Sequence, residues 1–399
     1  MIITLAVLII TVLIEVFTPF LAVANNLHLG ALTALGGTVI LLTGVYFQTS
    51  ILIPLENLER KLVPNLLEVA RKDTFFYWGR FLMFLFPILS YIFTLIIIEL
   101  PLYQKWLFSG WLILFAIVLD FFRDGWERVA NFLTPSYLVK HISQGAIKSI
   151  QIDEDDVLWN RLDDLSEIGL NAAEKGKLAL SNQVLQTFPG IVQTFFDSSK
   201  SISRMNRDQE VKKMTGRDEA NYTTYYLLQR LELINDKALQ NRLETVCRQM
   251  IVTMGKIVIS SARYDLTMVS FPTHFLTKFG LKAQQHHYDE VSVLAVSTLI
   301  EIAKTITTDI NLEYTELKEP FKSILNGLDA LAKGAFKKNK QINIKTLIQP
   351  FLDIREFFKT EKMARHPDTP VIEHEIDQLL AEYKTLEDML QGIPSMPNI

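Results

Sequence analysis

The sequence predicts an all-α membrane protein: four transmembrane helices followed by a cytoplasmic helical domain. Three observations carry this. Residues 2–24, 29–53, 78–100 and 106–122 form four long apolar runs in the first third of the chain. A bilayer core about 30 Å thick takes about 20 apolar residues in a helix. The remainder reads as helix after helix, rich in Leu, Glu, Lys and Ala, without the alternation of a half-buried strand. The apolar fraction of 49% and mean hydropathy of +0.19 exceed those of an ordinary soluble protein, and the excess lies almost entirely in that first third.

The first run lacks the basic n-region of a cleaved signal peptide, since no Lys or Arg precedes Arg60, and it is too long for one. Ala22-Val23-Ala24 imitates a cleavage site, but a retained helix is the better reading. Positive residues give the orientation. The connection around Asn26 has none, that between the second and third runs carries Arg60, Lys61, Arg71, Lys72 and Arg80, the next has only Lys105, and Arg123 and Arg128 follow the fourth. Both termini are therefore expected in the cytoplasm, with the chain in a bacterial inner membrane.

Residues 1–135 form the expected membrane domain. Glu15, inside the first run, falls near Gly36, Gly37 and Thr38 of the second when the two are paired as a hairpin. A carboxyl at that depth is a functional candidate; the plain alternative is a protonated Glu bonded to a threonine. The second run holds Gly30, Gly37 and Gly44 at spacings of seven, with Ala34 four after Gly30. Such a stripe lets helices approach closely, within a subunit or between subunits. Gly37, Thr38 and Gln48 with Glu15 are the intramembrane candidates, because a polar, small-residue helix can also line a pore. Residues 56–77 have Leu58, Leu62, Leu66 and Val69 at helical spacing among charges, which fits an amphipathic interfacial segment or an extension of the second helix. Pro87 interrupts the third run, as membrane helices tolerate. Trp78, Trp106 and Trp111 fall near the expected membrane boundaries.

Residues 136–362 form the expected cytoplasmic domain. Leu165-Ser-Glu-Ile-Gly-Leu-Asn-Ala172 resembles Leu276-Thr-Lys-Phe-Gly-Leu-Lys-Ala283, and a second apolar helix follows each. Looser echoes surround Gly255 and Ala332. The shared unit is a helix with a small residue where it crosses a neighbour, a turn, and a helix of Leu, Val and Ile. The domain is either a degenerate α-hairpin repeat or an irregular bundle. Residues 198–221, Ser-rich and then dense in both charges, read as a mobile loop. Lys333, Lys337, Lys338 and Lys340 form a basic cluster that suits anionic headgroups or a solvated helix end. After a linker at 363–370, Ile372, Ile376, Leu379, Tyr383, Leu386 and Leu390 are spaced 4-3-4-3-4. This heptad-like helix over 371–391 either pairs between subunits or docks on its own domain. Residues 392–399 are expected to fray.

No catalytic arrangement emerges. Gly255-Lys256 lacks the upstream Gly of a phosphate loop, and Ile257 replaces its Ser or Thr. His286-His287 with His274 nearby is a poor metal set, because adjacent histidines on a helix point apart; His366 and His374 are separated by the linker. The single cysteine, Cys247, rules out an intrachain disulfide. A net charge of −4 provides no field for nucleic acid. An enzyme and a cofactor are not expected. The order of elements resembles several uncharacterised bacterial membrane proteins, and loosely the small oligomeric anion channels of the bestrophin kind. No channel motif of that kind is present, so the likeness is architectural and assigns no residue a role. Two functions remain: a self-associating membrane protein whose cytoplasmic scaffold recruits or regulates a protein partner, or a homo-oligomeric channel lined by the second helix.

Overall fold

The computed structural model describes residues 26–61, 74–99, 104–132, 134–152, 154–205, 210–310 and 315–391. Among them the chain is all-helical, with fourteen α-helices and no strand. It divides into two compact units between Leu138 and Val139.

The first unit holds α1 (Asn26–Lys61), α2 (Thr74–Glu99) and α3 (Gln104–Phe132), each packed on the other two. The run at 2–24, and Glu15 with it, lies outside the described residues. α1 continues well past the apolar stretch to Lys61, so the first residues of the expected interfacial segment extend this helix; 62–73 lie outside the described residues. The core is aromatic. Trp111 stacks on Phe108 and Phe115, and Phe86 lies 6.1 Å from Trp111, with Ile40 and Val118 completing the cluster. The outer faces are apolar and uncovered: Leu35, Leu42 and Val45 of α1, Phe84, Ile88 and Leu95 of α2, and Ile117 of α3 are exposed.

α4 (Pro135–Ile152) crosses the boundary between the units. The second unit continues with α5 (Asp155–Glu174), α6 (Leu178–Met205), α7 (Glu210–Gln240), α8 (Glu244–Tyr264), a 3-10 turn (Leu266–Val269), α9 (Ser270–Gln285), α10 (Asp289–Asp309), α11 (Lys318–Lys338), α12 (Ile344–Phe358), the single turn α13 (Glu361–Ala364) and α14 (Thr369–Gln391). α5, α7, α9 and α11 pack one on the next, and so do α6, α8, α10 and α12. Each helix of the first row also packs on its successor in the chain, so the unit is two rows deep.

Three of the turns between the rows are built alike. Lys177, Leu243 and Tyr288 each donate a backbone N–H to the carbonyl five residues back, of Ala172, Ala238 and Ala283, at 2.8, 2.8 and 2.9 Å. The preceding residue is left-handed in each: Gly176 at φ +66°, Arg242 at +56° and His287 at +63°. This is the Schellman closure, which satisfies the last carbonyls of a helix. The fourth turn, between α11 and α12, is longer and opens with Asn339 N–H on the Ala335 carbonyl.

Neighbouring helices within a row approach closely because small residues sit at their crossings. A Cβ at Gly169 would lie 2.8 Å from Ile234, one at Gly280 would lie 2.8 Å from Leu331, and one at Gly255 would lie 2.5 Å from Thr298. At the matching place in α7 stands Asn235, buried, with its side-chain Nδ2 lacking a partner.

Two expectations are corrected. Within the expected loop at 198–221, residues 198–205 continue α6 and residues 210–221 belong to α7, while 206–209 lie outside the described residues. Ile202 with Met205 and Val211 with Met214 have helical spacing, which the dense charges obscure. The linker at 363–370 is bonded into the unit. His366 Nε2 lies 3.2 Å from the Thr315 carbonyl, Asp368 accepts from Leu317 N–H at 2.8 Å, and Thr369 donates to the Met363 carbonyl at 2.6 Å.

Among the described residues four helices are long and apolar enough to cross a membrane; three of them are the second, third and fourth expected runs, and the first run lies outside the described residues. Three are α1, α2 and α3; the fourth is α10. Half of the α10 window is buried, against 28% in each of the others, and its partners α8, α9 and α12 belong to the second unit. Its apolarity serves that core.

Candidate functional site

The glycine stripe of α1 is the first candidate, and its residues face α2 of the same chain. Gly30, Gly37 and Gly44 are buried. A Cβ at Gly30 would meet Ile98 at 3.1 Å, one at Gly37 would meet Ser90 Cβ at 2.6 Å, and one at Gly44 would meet Met83 at 3.1 Å. Ala34, one turn after Gly30, is partly buried. A Cβ at Gly36, outside the stripe, would lie 2.5 Å from the Trp111 ring.

Hydroxyls bond across this seam. Thr33 and Thr94 share a hydrogen bond at 2.7 Å, and Thr33 also donates to the Gly30 carbonyl at 2.8 Å. Trp111 Nε1 donates to Ser90 Oγ at 2.9 Å, which ties α3 to α2. Thr38, a pore candidate, pairs with the Tyr91 hydroxyl at 2.9 Å and donates to the Ala34 carbonyl. Glu15 and the side chain of Gln48 lie outside the described residues. Among the rest, Gly30, Thr33, Gly37, Thr38 and Gly44 of α1 are occupied in packing against α2.

The heptad seam of α14 is occupied too. Ile372, Ile376 and Tyr383 are buried, and the helix packs on α11 and α12. Tyr383 donates to Asp329 at 2.9 Å, and Arg355 pairs with Asp377 at 3.2 Å. Burial, then the bond to Asp329, pushes the Tyr383 hydroxyl far above its ordinary range. Leu379 and Leu386 are partly buried; the Leu390 side chain lies outside the described residues. Of the positions offered as an oligomer seam, Ile372, Ile376 and Tyr383 are thus buried within the domain.

Two of the four clustered lysines are neutralised locally. Lys333 pairs with Asp329 at 2.7 Å and reaches Glu382 at 3.7 Å, and Lys338 pairs with Asp289. Lys337 and Lys340 are exposed. His287 takes the left-handed place in a turn, and His286 stacks beside Tyr288 at 6.4 Å. Among the described residues no three His, Cys, Asp or Glu side chains gather as a metal site. Cys247 is buried, which pushes its thiol up to about 12.

Sequence reasoning missed the most distinctive surface of the second unit. An aromatic strip crosses the first row from α5 through α7 to α9. Trp159 lies 5.7 Å from Tyr222 and 5.0 Å from Tyr226, and Tyr225 lies 6.3 Å from both Phe271 and Phe275. Phe275 forms the buried floor, whereas Tyr222, Phe271 and Tyr225 are 63%, 53% and 43% exposed. These residues stand on three separate helices, so no local window of the sequence collects them. The only signal is the tyrosine density of Tyr222-Thr-Thr-Tyr225-Tyr226.

The charges around the strip are paired between helices. Asp163 of α5 accepts from Tyr226 at 2.5 Å and pairs with Arg230 at 2.9 Å, and the Arg230 guanidinium lies 5.0 Å over the Tyr226 ring. Burial, then the bond to Asp163, raises the Tyr226 hydroxyl. Glu232 of α7 binds Lys278 and Lys282 of α9, each at 2.7 Å, and Asp236 binds Lys282 at 2.6 Å. Burial pushes Glu232 up, but its two lysine partners outweigh this and leave it below the usual carboxylate range. Lys282 shifts upward, because its two acidic partners outweigh burial.

No family model, no curated protein and no solved structure matches this chain.

Proposed function

We propose that this chain is an integral membrane protein that presents a helical repeat in the cytoplasm as a scaffold for protein interaction. Its place in a bacterial inner membrane, its cytoplasmic termini and its self-association belong to the same reading. The membrane part is supported by the uncovered apolar faces of α1, α2 and α3. Exposed Trp106 and Trp126 lie 20 residues apart on α3, about 30 Å at helical rise, the thickness of a bilayer core. Trp78, exposed near the start of α2, suits the same interfacial belt.

The repeat is supported by the three like turns and the two stacked rows. Aligning Ala172, Ala238 and Ala283 brings Leu231-Glu-Leu-Ile-Asn-Asp-Lys-Ala238 under the two octapeptides that first suggest a repeat. α14, buried against α11 and α12 with a charged outer face, suits the capping helix that such an array needs.

The exposed aromatic strip carries the scaffold reading. Tyr, Trp and Arg dominate the energetic centres of protein interfaces. Solenoid rows offer their long surfaces for binding. A pore lined by α1 gains nothing from the packing of its Gly37 and Thr38 against Ser90 and Tyr91 of α2. The test is a photo-crosslinking amino acid placed in living cells at Tyr225, and separately at exposed Gln193 of the second row. A discrete adduct with a second polypeptide at Tyr225 and not at Gln193 is expected. No adduct at Tyr225 would remove the scaffold reading.

A further inference from the structure

We infer that the aromatic strip binds a proline-rich peptide segment in the polyproline II conformation. This rests on the scaffold reading and names its partner. The first argument is donor chemistry. The Tyr222 and Tyr225 hydroxyls and the Trp159 indole N–H have no hydrogen-bond partner among the described residues, and they stand among apolar ring faces. A surface of donors between rings suits a chain that offers carbonyls and few N–H groups. A polyproline II segment is such a chain, and aromatic-lined surfaces take it at little entropic cost.

The second argument is charge. The ions bordering the strip are already matched: Asp163 with Arg230, and Glu232 and Asp236 with Lys278 and Lys282. Among the described residues an anionic membrane or a nucleic acid finds no free cation there, and a strongly charged peptide would have to break these pairs. The partner that fits is uncharged. The third argument is length. Three neighbouring helices at 8–10 Å spacing span about 20 Å. At 3.1 Å per residue that is about six residues of polyproline II.

The experiment uses the full-length protein in detergent micelles. The probe is fluorescein-labelled decaproline, read by anisotropy, with a Gly-Ser peptide of equal length and an amphipathic Leu-Lys helix as comparators. Saturable binding of decaproline and not of the comparators is expected. Combining Tyr222→Ala with Tyr225→Ala should weaken it about tenfold or more, a loss of about 1.4 kcal/mol. The thermal transition should stay in place, because both side chains are exposed. Tyr225→Phe, which keeps the ring and removes the hydroxyl, should fall between parent and double variant. No saturable binding of decaproline, equal binding by the double variant, or preference for the helix would overturn the inference. A crosslink at Tyr225 without decaproline binding would remove this partner and leave the scaffold standing; absence of both would remove both.

Discussion

Substituting the glycines of the α1–α2 seam tests the closest packing in the first unit. A Cβ at Gly37 would lie 2.6 Å from Ser90 Cβ and 3.2 Å from Ser90 Oγ. Carbon atoms rest at about 3.5–4.0 Å. Gly37→Ala must therefore move the helices apart by about 1 Å at that point, or distort Ser90. Ser90 cannot yield cheaply, because its Oγ accepts from Trp111 and its neighbour Thr94 is bonded to Thr33. Overpacking of this kind costs about 1–3 kcal/mol. Gly44→Ala meets Met83 Cγ and Sδ at 3.1 Å and its Cβ at 3.3 Å, a milder approach than the 2.6 Å at Gly37, so its cost should be smaller. Gly110→Ala meets nothing within 4 Å and serves as the neutral control. The assay is unfolding in mixed micelles of rising sodium dodecyl sulfate fraction, followed by far-UV circular dichroism. The order of loss should be Gly37 greatest, then Gly44, then Gly110. A Gly37→Ala protein as stable as the Gly110→Ala protein would refute the close approach of α1 and α2.

The other expectations concern single contacts. Ser90→Ala should cost about 1–3 kcal/mol in the same assay by leaving the Trp111 indole N–H unpaired; restored stability in Ser90→Ala with Trp111→Phe would mark the hydrogen bond as the cause. Ile376→Ala should cost about 2–5 kcal/mol and lower the thermal midpoint without altering the subunit count by light scattering; a change in subunit count would place the seam between chains. Arg242→Gly should stabilise by about 1 kcal/mol, since a left-handed φ of +56° strains any residue with a Cβ; an unchanged midpoint would count against that turn. The depressed Glu232 contributes stability that is present above its unfolded pKa and lost as pH falls through its lower folded value. The raised Lys282 contributes stability present below its unfolded pKa and lost as pH rises through its folded value. Glu232→Gln should therefore flatten the acid limb of the midpoint-against-pH curve; an identical acid limb would show that this cluster adds nothing.

The helical class and the three apolar helices of the first unit are legible because burial in lipid or in a core leaves long unbroken hydrophobic runs. The seam at Gly30, Gly37 and Gly44 is legible for a related reason: a spacing of seven returns to one face of a helix. What the sequence leaves open is which neighbour covers that face, and Ser90, Ile98 and Met83 answer it only in three dimensions. The heptad of Ile372, Ile376 and Tyr383 has the same ambiguity, since an apolar stripe states a need for cover and not its source. The middle hairpin escapes notice because Asn235 and Arg242 stand where Gly169 and Gly176 stand in the first. The geometry is kept by the backbone bond from Leu243 to Ala238, to which side-chain identity is nearly irrelevant. The aromatic strip escapes because its members come together only when α5, α7 and α9 lie side by side.

α10 shows why hydropathy alone does not identify a membrane segment. It is long and apolar enough to span, yet its first turn and its middle are built into the second unit: Ser292 N–H bonds the Tyr288 carbonyl, and Thr298 fills the notch at Gly255. A helix in the middle of a two-row stack has neighbours on three sides and needs apolar residues nearly all round, as a lipid-facing helix does. The two cases separate at the uncovered face. On α10 that face carries Glu290, Ser297, Glu301 and Lys304 beside Val293. On α1 the exposed residues Leu32, Leu35, Val39, Leu42 and Val45 run without a charge. The exposed charges of α10 would each cost a few kcal/mol at the bilayer centre, while those five apolar residues cost least there. The same physical measure, what the outward face carries, separates α10, whose open face is charged, from α1, whose open face is apolar.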